Sequence, residues 1–161
     1  MINSDKDSPD FNSYACVSDL KNYAESRYID ITDDNALLES MLLKGMDYLE
    51  TRRWLGKRSD SKQLLSFPRL GLEQDGIPVP CGVIPNQLII AQCRLAIESK
   101  ESDLQPTLGG EVISERVDGA VTVQYAQGTN TGAPNFVWLK PLLYGLMDIS
   151  DDFAINTFSR R

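Results

Sequence analysis

No histidine occurs among the 161 residues. The commonest general base and metal ligand at neutral pH is therefore missing, and with it the Ser-His-Asp and Cys-His arrangements of nucleophilic catalysis. Cys16, Cys81 and Cys93 are widely spaced with no C-x-x-C pair, so they read as free thiols of a reducing compartment. Asp33-Asp34 and Asp151-Asp152 are neighbours in sequence, and neighbouring side chains on a helix do not converge on one point. Helix capping accounts for the first pair and a solvated tail for the second. No glycine-rich stretch has the G-x-x-x-x-G-K-[ST] spacing of a phosphate loop. The expectation is a protein that is not an enzyme, with no cofactor and no metal. One cluster suits binding chemistry: Arg52, Arg53, Lys57, Arg58 and Lys62, with Trp54 among them. Cations interleaved with an aromatic fit the phosphates and bases of a single strand. Against this, 16 Lys and Arg face 23 Asp and Glu, a formal net charge of −7. That balance opposes a protein whose main task is gripping a polyanion, and suits a surface past which DNA slides without sticking.

The elements that must position these residues are mostly helical. The length suits one domain with a core that needs no staple. Residues 1–11 are polar and acidic, unlike a signal peptide, and predict an N-terminal arm that orders only against a neighbour. Ser18 is the expected cap of a short helix with Leu20, Tyr23 and Ala24 on one face. Thr32 or Asp33 caps a long helix whose stripe is Leu38, Met41, Leu42, Met46 and Leu49, with Arg52 and Arg53 in its last turn and Gly56 as its end. Gly45 interrupts that stripe, and since mid-helix glycine costs about 1 kcal/mol, it predicts a close crossing by another helix. Residues 57–83 hold Pro68, Gly71, Gly76, Pro78, Pro80 and Gly82, which forbid a long helix; Phe67, Leu70, Leu72, Ile77 and Val79 are the apolar anchors of an ordered loop. A well-buried helix follows Pro85 over Gln87–Ala96. The stretch 111–125 predicts a β-hairpin turning at Asp118-Gly119. A short helix with Pro141 inside it comes next. Over 148–161, Ile149, Phe153, Ile155 and Phe158 with Arg160 and Arg161 suit an extended docking arm. No run is long and apolar enough to span a bilayer. The fold expected is mainly α: a small bundle of about four helices with one inserted hairpin, a long ordered loop and extended termini.

This order resembles the head–tail connector (neck adaptor) proteins of tailed bacteriophages, a group also labelled DnaT-like single-stranded DNA-binding protein. The residues that carry the resemblance are Asn12-Ser13-Tyr14, Trp54 with Gly56 and Arg58, Gln63-Leu64, Phe67-Pro68-Arg69 with Gly71, and Ile84-Pro85. It covers roughly residues 12–147, the connector domain. Where the family favours Trp, this chain has Phe67, which keeps an apolar plug and lacks the indole donor. The resemblance implies a structural virion protein at the neck, assembled in the host cytoplasm. It would form a ring of about twelve copies through one repeated heterologous contact. Its partners would be itself, a portal protein and another neck or tail protein, with DNA only as transient cargo in the channel and no membrane. Under that reading Ile149, Phe153, Ile155, Phe158, Arg160 and Arg161 form the portal or partner interface. Trp54, Arg58, Phe67, Pro68 and Arg69 serve either loop packing or subunit packing. The alternative function is a single-stranded DNA-binding module in phage replication, working through a local basic groove with stacked aromatics.

Overall fold

The computed structural model describes residues 1–106, 115–116, 122–123 and 136–148. It is mainly helical. α1 (Val17–Glu25), α2 (Asn35–Glu50), α3 (Asn86–Glu98) and the short α4 (Leu139–Leu142) are joined by three two-stranded antiparallel pairs. These are β1 (Lys57–Arg58) with β2 (Arg69–Leu70), β3 (Glu73–Gln74) with β4 (Ile77–Pro78), and β5 (Glu115–Arg116) with β6 (Thr122–Val123).

The helices are where the apolar spacing places them, but their starts differ. α1 begins at Val17, ahead of the expected Ser18 cap: Cys16 is the cap residue, and its N–H donates to Asp19 at 2.8 Å. α2 is capped by Asp34, which accepts from the Ala36 N–H at 2.9 Å. Three consecutive cap-competent residues, Thr32 to Asp34, leave the choice to tertiary packing. α2 ends at Glu50, so Arg52 and Arg53 lie beyond its last turn and Gly56 beyond its end.

α2 and α3 form the centre. All five residues of the α2 stripe are buried. The crossing falls at Gly45 as its place in that stripe predicts: a Cβ there would lie 2.9 Å from the Gln92 carbonyl oxygen and 3.2 Å from the Ala96 nitrogen. One apolar cluster joins α1 to α2 and α3 through Leu20, Leu38, Leu42, Cys93 and Ala96. A larger one joins α2 and α3 to α4 and the long loop through Leu49, Phe67, Leu72, Leu95, Leu143 and Leu146.

Residues 1–11 differ from the arm expected. They fold on their own chain: Asn3 accepts the backbone N–H groups of Asn12 and Ser13, the Ile2 N–H donates to Glu39 at 3.2 Å, and Phe11 is buried. Local Asx and Ser turns around Asp5, Asp7 and Ser8 supply order that a polar composition hides. In the long loop Phe67 and Leu72 are buried, whereas Leu70 and Ile77 face solvent and anchor nothing. Arg116 pairs with Thr122, whereas a two-residue Asp118-Gly119 turn would set it opposite position 121. The turn itself lies outside the described residues.

Candidate functional site

The stretch following α2 doubles back on itself. β1 pairs with β2 in the register Lys57↔Leu70 and Arg58↔Arg69. Gly56 makes the bend at φ +69°, where a Cβ would stand 2.3 Å from the Leu70 carbonyl oxygen; only glycine fits there. Arg69 ties the corner from inside. Its Nε donates to Leu55 O at 2.6 Å, Nη1 to Ser66 O at 3.1 Å, and Nη2 to Gly56 O at 2.9 Å and Trp54 O at 3.3 Å. Burial and then the Arg58 charge hold its pKa below the ordinary arginine value. The Leu55 N–H donates to Leu146 O and the Asp148 N–H to Arg53 O, so the corner is also stitched to the chain after α4.

Aromatics fill the space beneath. Trp54 packs edge-on to Phe67 at 4.9 Å, Phe67 to Tyr14 at 6.0 Å, and Tyr14 to Phe11 at 5.9 Å. The Tyr14 hydroxyl donates to Glu50 and accepts the Phe67 N–H, while Ser66 donates to Glu50 from both its N–H and its hydroxyl. Burial, then the Glu50 charge, pushes the Tyr14 phenol above the ordinary tyrosine range. Trp54, Phe67 and Arg69 thus hold the loop against its own helices. Four carbonyls of its own loop engage the Arg69 guanidinium, so the residue serves the packing of that loop. The Phe67–Pro68 peptide is cis.

Outside this corner the charge is one-sided. Between Arg52 and Arg69 the cations are Arg52, Arg53, Lys57, Arg58, Lys62 and Arg69, and the only acid is Asp60. Arg53, Lys57, Arg58 and Lys62 are exposed. The Asp60 carboxylate accepts the Lys62 N–H at 2.8 Å, and Arg58 Nη1 donates to Gln63 O at 3.3 Å. Lys57, Arg58 and Lys62 form no ion pair among the described residues.

Arg52 links this basic turn to a second set of side chains that sequence reasoning did not find. Its guanidinium lies over Tyr48 at 4.2 Å; Tyr48 meets Phe136 at 5.3 Å; Phe136 meets Trp138 at 5.7 Å; and Arg94 covers Trp138 at 4.1 Å. The result is a ladder of arginine, three aromatics and arginine drawn from α2 and the turn after it, α3 and the segment before α4. Tyr48 and Arg94 are 46 positions apart, and Arg94 and Trp138 a further 44, so no sequence window holds them. The one signal was the odd pair of half-buried aromatics, Phe136 and Trp138, at a helix start. By contrast, a hollow of about 400 Å³ between Leu55, Tyr144 and Met147 is lined by Glu73, Asp75 and Asp148, the wrong sign for a polyanion.

Among the described residues no group of three or more His, Cys, Asp or Glu is placed to hold a metal, and no helix is long and apolar enough to cross a membrane. Cys16, Cys81 and Cys93 are free thiols. Ile149, Phe153, Ile155, Phe158, Arg160 and Arg161 lie outside the described residues.

The fold and its basic, aromatic-backed corner define a small helical domain with a local cationic surface. Over residues 1–161 the chain matches the model of the family described as "Putative DnaT-like ssDNA binding protein", and it belongs to that family. No curated protein and no solved structure matches it. The family match corrects the expected function: it gives no support to a head–tail adaptor of the virion and favours the alternative reading. Net charge is a sum over the whole surface and does not describe the local charge of one stretch.

Proposed function

We propose that the protein is a single-stranded DNA-binding module. The family match over the whole chain carries this reading. The geometry supports it with a cationic turn for phosphates, Lys57, Arg58 and Lys62, next to the arginine–aromatic ladder that begins at Arg52. Binding of this kind is electrostatic and tolerant of sequence. The acidic remainder of the surface keeps the contact local and its affinity modest.

The test is fluorescence anisotropy of a labelled oligothymidine against the full chain at varied salt. Each phosphate contact on a single strand contributes a slope of about −0.7, so four contacts weaken Kd roughly fifty-fold between about 50 and 200 mM salt. Reversing Lys57, Arg58 and Lys62 to Glu removes the low-salt binding and flattens the slope. No binding at low salt with protein at about 100 µM would refute the module, since even non-specific contacts are tighter than that.

A further inference from the structure

We infer that Arg94 and Trp138 form a platform on which one unpaired base of the strand stacks, an assignment that rests on the single-stranded DNA reading above. The argument begins with how the pair is held. Trp138 is half-buried ahead of α4, and Phe136 braces its ring at 5.7 Å with a tilt of 50°. Phe136 in turn stands edge-on to Tyr48 at 5.3 Å and 78°. The indole is therefore fixed by an aromatic stack rooted in α2. Arg94 projects from α3 and lays its guanidinium over that indole at 4.1 Å. Glu98, one turn on, holds the guanidinium edge at 3.9 Å from Nε. With one face against the indole, the Arg94 side chain is still 42% exposed, so part of it meets solvent.

A planar, delocalised cation with one face supported and part of its surface open is a stacking surface for another planar π-system. Nucleobases meet that description, and arginine planes are among the groups on which splayed bases are stacked. The cations at the two ends of the ladder, Arg52 and Arg94, bring positive charge to both sides of the aromatics. Phosphates flanking the stacked base are attracted there, while Glu98 faces the edge of Arg94 and opposes them in part. The basic turn then serves as the backbone contact and the platform as the base contact, both reached through Arg52.

The chain has two tryptophans, so Trp54→Phe leaves Trp138 as the only indole. Titrating this variant with oligothymidine at low salt, while following both Trp138 emission and the anisotropy of the labelled strand, reads the platform directly. Trp138 emission should fall with the same midpoint as the anisotropy rise. Arg94→Ala should weaken binding roughly tenfold, in the range seen when a stacking side chain is removed. Arg94→Lys keeps the charge and loses the plane; it should weaken binding several-fold with the salt slope unchanged. Far-UV circular dichroism and the melting temperature of each variant confirm that it is folded. If the strand binds with Trp138 emission unmoved, or Arg94→Lys binds as well as the parent, the platform is wrong and the DNA-binding reading stands. If the parent chain does not bind the strand at all, that reading falls and the platform with it.

Discussion

The side-chain oxygen of Gln92 accepts the backbone N–H of Tyr14 at 3.0 Å, across 78 positions of sequence. The same oxygen takes the Ala15 N–H at 2.8 Å, and the amide nitrogen donates to Ser13 Oγ at 2.7 Å and to Leu42 O at 2.9 Å. One buried amide thus fixes the segment entering α1 to both central helices. Gln92→Leu preserves volume but orphans two backbone N–H groups. At about 1–3 kcal/mol for each buried donor left unpaired, the expected loss is about 3 kcal/mol. A fall in Tm of about 10 °C should accompany it. A Tm within 2–3 degrees of the parent, on the order of one kcal/mol, would show that the segment is held by other means.

Much of the frame was legible because its signals are local. The α2 stripe, the breakers of residues 57–83 and Pro85 ahead of α3 each announce an element within a short window. Partner choice is not local. Nothing near Arg69 shows that its four acceptors are carbonyls of its own loop, and nothing near Gln92 points to Tyr14. The candidate site was half legible: the basic turn is a contiguous run, whereas the ladder is assembled from Tyr48, Arg94 and Trp138, which meet only when α2, α3 and the residues before α4 pack together. Net charge, a whole-chain quantity, then outweighed a local cluster that it cannot describe.

Gly45→Ala sets two effects against each other. Helix propensity favours alanine by about 1 kcal/mol. The new Cβ meets the backbone of α3, at 2.9 Å from Gln92 O and 3.2 Å from Ala96 N, and a helix backbone cannot step aside as a side chain can. Overpacking of this sort costs about 1–3 kcal/mol, so the net is a loss of up to about 2 kcal/mol. Denaturant unfolding would measure it, and a more stable variant would mean that α2 and α3 are farther apart than the structure places them.

Arg69→Lys keeps the charge at the base of the basic turn and removes the fork. A lysine has neither the plane nor the five donors needed to reach Leu55, Ser66, Trp54 and Gly56 together. The expected cost is about 2 kcal/mol, from losing hydrogen bonds to a charged group. Hydrogen exchange should quicken in residues 54–70 before it does in α2 or α3. Since Arg69 is engaged within the loop, strand affinity should fall only as far as the turn of Lys57, Arg58 and Lys62 loses its shape. Uniform exchange across the molecule would deny the guanidinium its special place.

Tyr14 carries the pH dependence. Its phenol is kept neutral by burial and then by Glu50, so its folded pKa lies above the value of about 10 that it has in an unfolded chain. A raised pKa on an acid means that the neutral form is the one stabilised. The contribution is complete below pH 10 and declines as pH rises beyond it, because the unfolded chain ionises first. Tyr14→Phe removes the donor to Glu50 and the acceptor of the Phe67 N–H, a loss of about 1–3 kcal/mol at neutral pH. The gap in stability between parent and variant should therefore be constant from neutral pH to about pH 9 and close from about pH 10 upward. Urea unfolding of both proteins across that range measures it. A gap that persists unchanged at the alkaline end would mean that Tyr14 ionises in the folded protein as readily as in water, and that Glu50 stands too far away to oppose it.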